Sequence, residues 1–419
     1  MFQPELEALP RERLEALVLQ RMRGTLARLT EHPAWRRRLG SVVPDDLARL
    51  EDWRRLPFLT KDDLRDAYPF GLAGGTAYRR VQMSSGTTGN PILNPYTEAD
   101  VAQWSEVMAR CYVAAGVTGA DVIQITPSFG LFTGGFGFHY GAERLGAMVV
   151  PIGAGRTLLQ LKLMRDLAVT VVAAIATYPL RLIEVAREAR FDLGTLALRV
   201  GIFGSEMWSD ELRARIERDL RIRTFDIIGM TETGGPGLGI DCVARAGIHV
   251  WEDHYHVEVV DPVTGRVAAD GVEGELVVST LTREGLPLVR YRTRDLTRVV
   301  SRARCDCGRT ALRLDRLRGR TDDMVIVKGV NFYPRQVEQV VLRQPGLSHE
   351  YQIVLDGEGG ERMTVLVEAE PGCDAAVAAR VRRELHDLLA LSPEVRLCRP
   401  GEIERAQGKA VRVVDRRNP

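Results

Sequence analysis

Apolar runs and stretches of helical periodicity alternate through the middle of the chain, from about residue 100 to residue 300. Short runs that are almost entirely apolar occupy residues 122–125, 147–151, 169–175 and 200–203, and stretches long enough for a helix separate them. Strands that are apolar along their whole length are buried on both faces, as in a parallel sheet covered by helices. The pattern therefore predicts an α/β fold for this region.

The pattern differs at the two ends of the chain. Residues 5–40 carry apolar side chains near helical spacing, which predicts an amphipathic helix. Residues 275–280, which read Glu-Leu-Val-Val-Ser-Thr, predict a strand of an antiparallel, β-rich appendage. From Met324 onward a strand, a turn, a helix beginning at Pro334 and a further strand at 364–368 predict a small α+β unit. A length of 419 residues also favours more than one domain. We expect a large domain over 1–319 and a small one over 323–419.

Composition narrows the functional classes. The chain has 57 basic and 56 acidic residues, a formal net charge of +1, so no overall field favours nucleic acid or a membrane surface. The sequence begins without a basic segment followed by an apolar stretch, and it has no apolar run of 18 residues. We therefore expect a cytoplasmic protein, in which clustered cysteines are metal ligands rather than disulfides.

A loop rich in glycine and hydroxyl side chains follows a predicted strand at 78–83. It reads Ser84-Ser85-Gly86-Thr87-Thr88-Gly89-Asn90-Pro91. Glycines allow a tight turn, and hydroxyl and amide donors suit an anion. The spacing is not that of the P-loop NTPases. A flexible linker is the alternative, but linkers are expected between domains. The loop indicates a polyphosphate site.

A second loop follows the apolar strand that contains Asp226. Residues 229–236 read Gly-Met-Thr-Glu-Thr-Gly-Gly-Pro and present Thr231 and Glu232 at the strand's end. Ligands of open α/β sheets bind at the carboxyl ends of strands. A carboxylate beside a polyphosphate suits Mg²⁺.

These two loops and three later motifs, in this order, resemble the adenylate-forming superfamily. The later motifs are Arg290-Tyr291-Arg292-Thr293-Arg294-Asp295, Gly319-Arg320-Thr321-Asp322-Asp323 and Gln407-Gly408-Lys409-Ala410. The closest resemblance is to phenylacetate–coenzyme A ligases, and it extends from about residue 10 to residue 417. Segments 130–135, 139–143, 247–254 and 328–331 strengthen it.

The resemblance implies a large ATP- and acid-binding domain followed by a small mobile lid, together with a role for each motif residue. In the implied ATP site the first loop binds the β- and γ-phosphates, Thr231 contacts the α-phosphate, and Glu232 holds Mg²⁺. Asp295 accepts hydrogen bonds from the ribose hydroxyls, and Arg320 lies nearby. Asp226 belongs to the same site. Asp322, within 320–322, is the implied hinge, and Lys409 the catalytic ammonium. The implied ATP-binding residues of the first loop are Ser84, Ser85, Gly86, Thr87, Thr88 and Gly89, and those of the acyl pocket are Phe129, Phe132, Phe136, Ser205 and Gly229.

The implied activity converts an aromatic acid, phenylacetate-like or substituted benzoate-like, and ATP to acyl-AMP and pyrophosphate, followed by transfer to coenzyme A. Transfer to a carrier-protein phosphopantetheine or to an amine or hydroxyl is an alternative, and a nucleotide-binding regulator without catalysis is another. The chain departs from the family at Asn90, where a lysine is usual, and at Ile228, where a tyrosine is usual. Ser128 and Ser205 add hydroxyl groups that suit a hydroxy- or amino-substituted acid. The family is commonly homodimeric.

Four of the residues form a candidate zinc site. Cys305 and Cys307 are the one closely spaced cysteine pair, and Cys242 precedes His249 by seven positions. A Cys₃His set is a usual composition of closed structural zinc sites. A reduced hairpin without metal is the alternative. The resemblance includes the same four positions, and some relatives bind zinc there.

Overall fold

The computed structural model describes residues 1–74, 77–84, 90–357, 362–374, 376–404 and 411–417. The chain divides into two units. The first contains Met1–Ser205 and Leu220–Leu317, and the second contains Glu206–Asp219 and Arg318–Pro419. The division after residue 317 falls close to the boundary expected at 319, whereas the grouping of residues 206–219 with the second unit was not expected. Movement of the second unit as a lid remains a prediction.

The first unit contains eight α-helices and fourteen strands within the described residues. The helices are α1 (Pro4–Glu7), α2 (Arg11–Glu31), α3 (Pro33–Leu39), α4 (Lys61–Asp66), α5 (Glu98–Ala114), α6 (Thr133–Leu145), α7 (Thr157–Asp166) and α8 (Tyr178–Glu188). The strands are β1 (Arg80–Met83), β2 (Leu93–Tyr96), β3 (Val122–Ile125), β4 (Met148–Val150), β5 (Val171–Ile175), β6 (Val200–Gly204), β7 (Arg223–Met230), β8 (Gly235–Asp241), β9 (Ile248–Val250), β10 (Tyr255–Val260), β11 (Gly274–Thr280), β12 (Tyr291–Thr297), β13 (Val299–Ser301) and β14 (Arg313–Leu314).

The N-terminal segment is three helices rather than the single helix expected over residues 5–40. Prolines separate them: Pro10 precedes α2, and Pro33 is the first residue of α3. Proline lacks an N–H and forces the preceding residue into an extended conformation, and His32 has φ −87° and ψ 122°. The apolar face of α2 is buried as predicted and packs with Trp35 and Trp53 in one core.

Nine of the described strands form the main sheet, in the order β13-β14-β9-β8-β7-β6-β5-β3-β4. The five strands from β4 to β7 are parallel, and β8, β9, β14 and β13 continue the sheet in antiparallel pairings. All four apolar runs of the sequence are strands of the parallel part, so the predicted α/β fold is confirmed. The carboxyl ends of β3, β5, β6 and β7 lie at one edge, where a ligand site is expected.

Two smaller sheets complete the first unit. Strands β1 and β2 pair as an antiparallel hairpin in which Met83 faces Leu93. Strands β10, β11 and β12 are antiparallel neighbours, with an irregularity in the β11–β12 register between Glu275 and Val277. The second of these sheets is the predicted β-rich appendage.

The second unit has its own core. Its elements are α9 (Asp210–Leu220), which ends one residue beyond the unit, β15 (Gly319–Arg320), β16 (Val325–Val327), β17 (Val330–Phe332), α10 (Pro334–Arg343), β18 (Leu347–Asp356), β19 (Arg362–Ala369), α11 (Ala376–Leu389), β20 (Glu394–Cys398) and β21 (Val413–Asp415). Strands β20, β19, β18 and β21 form a sheet in that order, and apolar residues of α10 and α11 share its buried cluster. The small α+β unit is confirmed. Among the described residues, no helix has the length and apolarity needed to cross a bilayer.

Candidate active site

The β1–β2 hairpin contains the predicted phosphate loop. Ser85, Gly86, Thr87, Thr88 and Gly89 lie outside the described residues. Ser84 is buried at the base of the hairpin: its N–H donates to the Ile92 carbonyl at 3.0 Å, and its Oγ accepts from the Ile92 N–H at 3.1 Å. Ser84 therefore closes the two ends of the loop on each other.

The turn after β7 lies beside this hairpin. Asn94 of β2 donates its side-chain amide to the Thr231 carbonyl and, at 3.4 Å, to the Glu232 carbonyl. The buried Arg283 donates to the amide oxygen of Asn94 at 2.8 Å, which fixes the orientation of the amide. Asn94 thus joins β2, the strand that follows the predicted polyphosphate loop, to the turn that the sequence assigns to Mg²⁺, and sequence reasoning did not identify it.

The side chain of Glu232 is nearly buried, with 7% of its surface exposed. Its Oε1 lies 3.5 Å from Nζ of Lys61, the first residue of α4. A buried carboxylate requires a cation or strong hydrogen bonds, so this contact is energetically significant. Sequence reasoning missed Lys61, because nothing in its local sequence indicates a contact with a residue 171 positions away, the difference between 232 and 61.

Asp226 occupies the middle of β7 rather than its end. Its carboxylate forms an ion pair with Nε of Arg316 at 2.7 Å, and its N–H donates to Oδ1 of Asp241 at 2.9 Å. Asp295 lies on β12 with 9% exposure, and its N–H donates to Oγ1 of Thr293 at 3.0 Å. Their roles in ATP binding stay predictions.

The described part of the second unit contains two of the predicted residues. Arg320 and Asp322 form a two-point ion pair, with Nε–Oδ1 at 2.9 Å and Nη2–Oδ2 at 3.1 Å. The predicted ribose-side arginine and the predicted hinge residue therefore contact each other. Lys409 lies outside the described residues.

Aromatic residues predicted for the acyl pocket gather beside α6. The rings of Phe129 and Phe136 meet edge to face at 5.2 Å, and Phe136 stacks on Tyr140 at 6.1 Å. The guanidinium of Arg80 lies 4.1 Å from the centre of the Phe136 ring and 4.8 Å from that of Tyr140. Phe132 immediately precedes α6. Phe129 and Phe136 are in contact, together with Tyr140 and Arg80, while their assignment to an acyl pocket stays a prediction.

Ser205 and Gly229 follow or end neighbouring parallel strands. Ser205 comes directly after β6, is exposed and has φ +71°, a left-handed conformation that is uncommon for serine. At Gly229 a Cβ atom would lie 2.2 Å from the Gly235 carbonyl oxygen, so only glycine fits where β7 turns back into β8. Gly229 therefore has a structural reason to be glycine independent of any acyl group.

The four predicted zinc ligands come together in the first unit. Cys242 follows β8, His249 lies on β9, and Cys305 and Cys307 belong to the loop between β13 and β14. The four donor atoms all lie within 4.8 Å of one another. Sγ of Cys307 is 3.4 Å from Nε2 of His249, and Sγ of Cys242 is 3.8 Å from Sγ of Cys305. Hydrogen bonding by Cys242, with a further contribution from His249, lowers the pKa of the Cys307 thiol.

A second group of metal-ligand type, which we call the acidic cluster, consists of Glu106, Asp253 and His254. Nε2 of His254 lies 3.2 Å from Glu106 Oε1 and 3.3 Å from Asp253 Oδ2. Arg110 binds both Asp253 oxygens, at 2.8 and 3.0 Å, and contacts Glu106 at 2.6 Å. Burial alone raises the pKa of Asp253, but the charges of His254 and Arg110 prevail and lower it to about 2.

Known proteins resemble this chain in sequence and in fold. The AMP-binding enzyme family matches residues 79–282, and the AMP-binding enzyme C-terminal domain matches residues 329–417. A crystal structure of 2-hydroxyisobutyryl-CoA ligase in the postadenylation state has a TM-score of 0.91 and 26% identity, covering 99% of this chain and 92% of that one. The fold and the two family matches define an adenylate-forming enzyme of the AMP-binding class.

Curated relatives give the family. The phenylacetate-coenzyme A ligase of Escherichia coli is 41% identical over 424 residues, which are 97% of this chain and 96% of the relative. That of Thermus thermophilus is 40% identical over the full length of both chains. This chain belongs to the phenylacetate–coenzyme A ligase family, and the resemblance seen in the sequence motifs is confirmed.

Proposed function

We propose that this protein activates an aromatic carboxylic acid with ATP, releasing pyrophosphate, and then transfers the acyl group from acyl-AMP to coenzyme A. The proposal rests mainly on the hydrogen bonds of Asn94, which hold the Thr231–Glu232 turn against the hairpin of the predicted phosphate loop. The relatives that share about 40% of the sequence are ligases of this kind by name.

The hydrogen-bond donors and the Glu232 carboxylate have different roles in the formation of acyl-AMP. Attack of the substrate carboxylate on the α-phosphate builds negative charge on the non-bridging oxygens, which positioned donors stabilise. Thr231 is the donor at this position, and Ser84 holds the phosphate loop closed. The buried carboxylate of Glu232 fits a Mg²⁺ ligand, because this ion binds through one or two protein carboxylates together with phosphate oxygens. When bound, Mg²⁺ supplies Lewis-acid stabilisation of the phosphates.

The second unit supplies Lys409 in this proposal. An ammonium group at the α-phosphate stabilises charge during adenylation, and a lid that withdraws it admits the thiol. We expect Lys409→Ala to abolish adenylate formation while thiolysis of a preformed adenylate is much less affected. Pyrophosphate release and thioester formation from synthetic acyl-AMP measure the two half-reactions separately. Equal loss of both would contradict the role of Lys409.

An aromatic acid is favoured by the names of the relatives and by the cluster of rings that Phe129, Phe136 and Tyr140 form. Ser205, exposed after β6, provides a hydroxyl for a hydroxy or amino substituent. Pyrophosphate release over a panel of benzoic, anilinic and phenylacetic acids, with coenzyme A thioester formation as the second readout, tests both points. Release without thioester favours a carrier protein or an amine as acceptor, and absence of release with every acid favours a nucleotide-binding regulator.

We also propose that Cys242, His249, Cys305 and Cys307 hold a structural zinc ion. Their donor atoms lie close enough to share one ion, and three sulfurs with one imidazole nitrogen are a donor set that zinc prefers. Four protein ligands leave no open position, so this zinc stabilises the fold and takes no part in the reaction. A homodimer is the expected assembly, which sedimentation velocity tests.

A further inference from the structure

Lys61 is the cation that faces Glu232 among the residues that the structure describes. Its Nζ lies 3.5 Å from Glu232 Oε1, longer than the 2.7–3.2 Å of a well-formed hydrogen bond. An ammonium group has three N–H donors, so this contact leaves donors available for a second acceptor. The side chain of Lys61 also remains 28% exposed, whereas that of Glu232 is 7% exposed. Lys61 therefore reaches from the surface to the carboxylate.

The backbone on the N-terminal side of Lys61 is fixed to a strand. The Leu59 N–H donates to the Arg290 carbonyl at 3.1 Å, and the Arg292 N–H donates to the Leu59 carbonyl at 2.8 Å. The Phe58 carbonyl accepts from Nη2 of Arg38 at 2.6 Å. These bonds hold the segment before α4 along the edge of β12.

The C-terminal side is fixed as well. Thr60 and Asp63 form a reciprocal cap, with the Thr60 N–H donating to Asp63 Oδ2 at 2.7 Å and the Asp63 N–H donating to Thr60 Oγ1 at 3.3 Å. Arg38 binds both oxygens of Asp63, at 2.8 and 2.7 Å. The position of Lys61 is thus set from both directions by contacts that do not involve its own side chain.

Lys61 occupies an unfavourable place in its own helix. It is the first residue of α4, where the helix dipole favours acidic side chains, such as Asp62 and Asp63 that follow. A residue that breaks a local rule without a local gain indicates a function elsewhere. The gain here is the charge that Lys61 places beside the turn of the predicted phosphate site.

We propose that Lys61 contacts the pyrophosphate portion of bound ATP and supplies the positive charge that Asn90 does not. Asn90 is exposed at the end of the phosphate loop and carries no charge. Asn94 joins β2 to the Thr231–Glu232 turn, and Lys61 contacts the Glu232 side chain of the same turn, so the hairpin and Lys61 meet at one predicted phosphate-binding segment. This inference rests on the proposed function.

Binding of nucleotides without turnover tests the contact, using titration calorimetry with MgATP and with AMP and no acid. AMP lacks the pyrophosphate portion. A charge-assisted hydrogen bond corresponds to about 10- to 100-fold in affinity, so Lys61→Met weakens ATP binding by this factor and leaves AMP binding nearly unchanged. The matched control is Lys162→Met, because Lys162 is an exposed lysine paired with Asp166. Its affinities stay at the wild-type values.

A positive charge restored at position 90 tests whether Lys61 acts on the bound phosphates or only neutralises the charge of Glu232. Adding Asn90→Lys to Lys61→Met recovers most of the lost ATP affinity if the missing charge is what matters. Thermal melting shows whether Lys61→Met folds. If it does not fold, Lys61→Arg, which retains a cation, is tested in its place. Equal weakening of ATP and AMP, or an unchanged ATP affinity in Lys61→Met, overturns the proposal. Failure of the wild type to bind either nucleotide refutes the proposed function itself.

Discussion

Within its described residues the first unit contains two groups of metal-ligand side chains, and they differ in what balances their charge. In both the Cys₃His group and the acidic cluster the donor atoms lie within 4.8 Å of one another. In the acidic cluster Arg110 already binds Asp253 at two points and contacts Glu106. Near the cysteines, the Arg309 guanidinium donates one hydrogen bond to Cys307 Sγ, at 3.6 Å, rather than forming a two-point ion pair.

The comparison shows that proximity of ligands alone does not define a metal site. A buried carboxylate needs a partner charge, and an arginine that meets it with two parallel hydrogen bonds removes the need for an ion. Arg110 also donates to Gln3 at 2.6 Å, so the acidic cluster connects the N-terminal segment to α5. The acidic cluster is accordingly a structural ion network, and the cysteine group is the candidate zinc site.

The largest expected effect concerns the cysteine group. Cys242→Ser should reduce zinc from about one ion per chain to nearly none, because each ligand of a closed site is needed for tight binding. The melting temperature should fall, since metal-binding free energy is also folding free energy. Elemental analysis and calorimetric melting measure the two quantities.

Cys373→Ser is the control for this experiment, because Cys373 is a free cysteine of the second unit outside the group. Its zinc content and melting temperature should match the wild type. Wild-type protein that contains no zinc after purification with the metal supplied would contradict the difference between the two groups.

Removing the arginine of the acidic cluster is expected to have the next largest effect. Arg110→Met leaves Asp253 buried without its main hydrogen-bonded partner, which costs about 3–5 kcal/mol in the free energy of unfolding. Denaturant titration measures the loss. Arg181→Met is the control, because Arg181 is an exposed arginine paired with Glu184. A loss below about 1 kcal/mol, the value of a surface pair, would show that Arg110 does not balance the acidic cluster.

Glu338, in the second unit, differs from Asp253, because the effect of burial on its pKa outweighs the effect of the nearby charges. Burial raises the pKa of Glu338 to about 7, and Arg412 and Arg335 only partly oppose this. An acid whose pKa is higher in the folded state loses stability as pH rises from about 4.5 through 7, by up to about 3 kcal/mol. For Asp253 the sign is opposite, and stability is lost as pH falls below about 4.

Glu338→Gln should therefore stabilise the protein at pH 8 and change little at pH 5, because the amide is uncharged at both values. Melting temperatures at these two pH values give the measurement, and Glu394→Gln at the exposed start of β20 is the control. The same change at both pH values would mean that the carboxyl group of Glu338 does not titrate between them.

The amino-acid sequence alone was enough to identify the family and the apolar strands of the parallel sheet. Apolar runs at β3, β5 and β6 report the burial of a parallel sheet, and the order of the short motifs reports the adenylate-forming class. It also identified the Cys₃His group as a candidate zinc site. These properties depend on which residue types lie a few positions apart, and the sequence shows this directly. Pro10 and Pro33, whose local chemistry ends helices, mark the one clear error in the helix boundaries.

The contacts between residues far apart in the sequence are visible only in the folded structure. Asn94 reaches a turn 137 positions away, Lys61 reaches Glu232, and Arg110 reaches Asp253 across 143 positions. The sequence pattern does not show which distant partner each of these residues meets, because an asparagine, a lysine or an arginine has the same pattern whichever residue approaches it. The partner is set by how helices and loops pack around the sheet, and that packing depends on the whole chain at once.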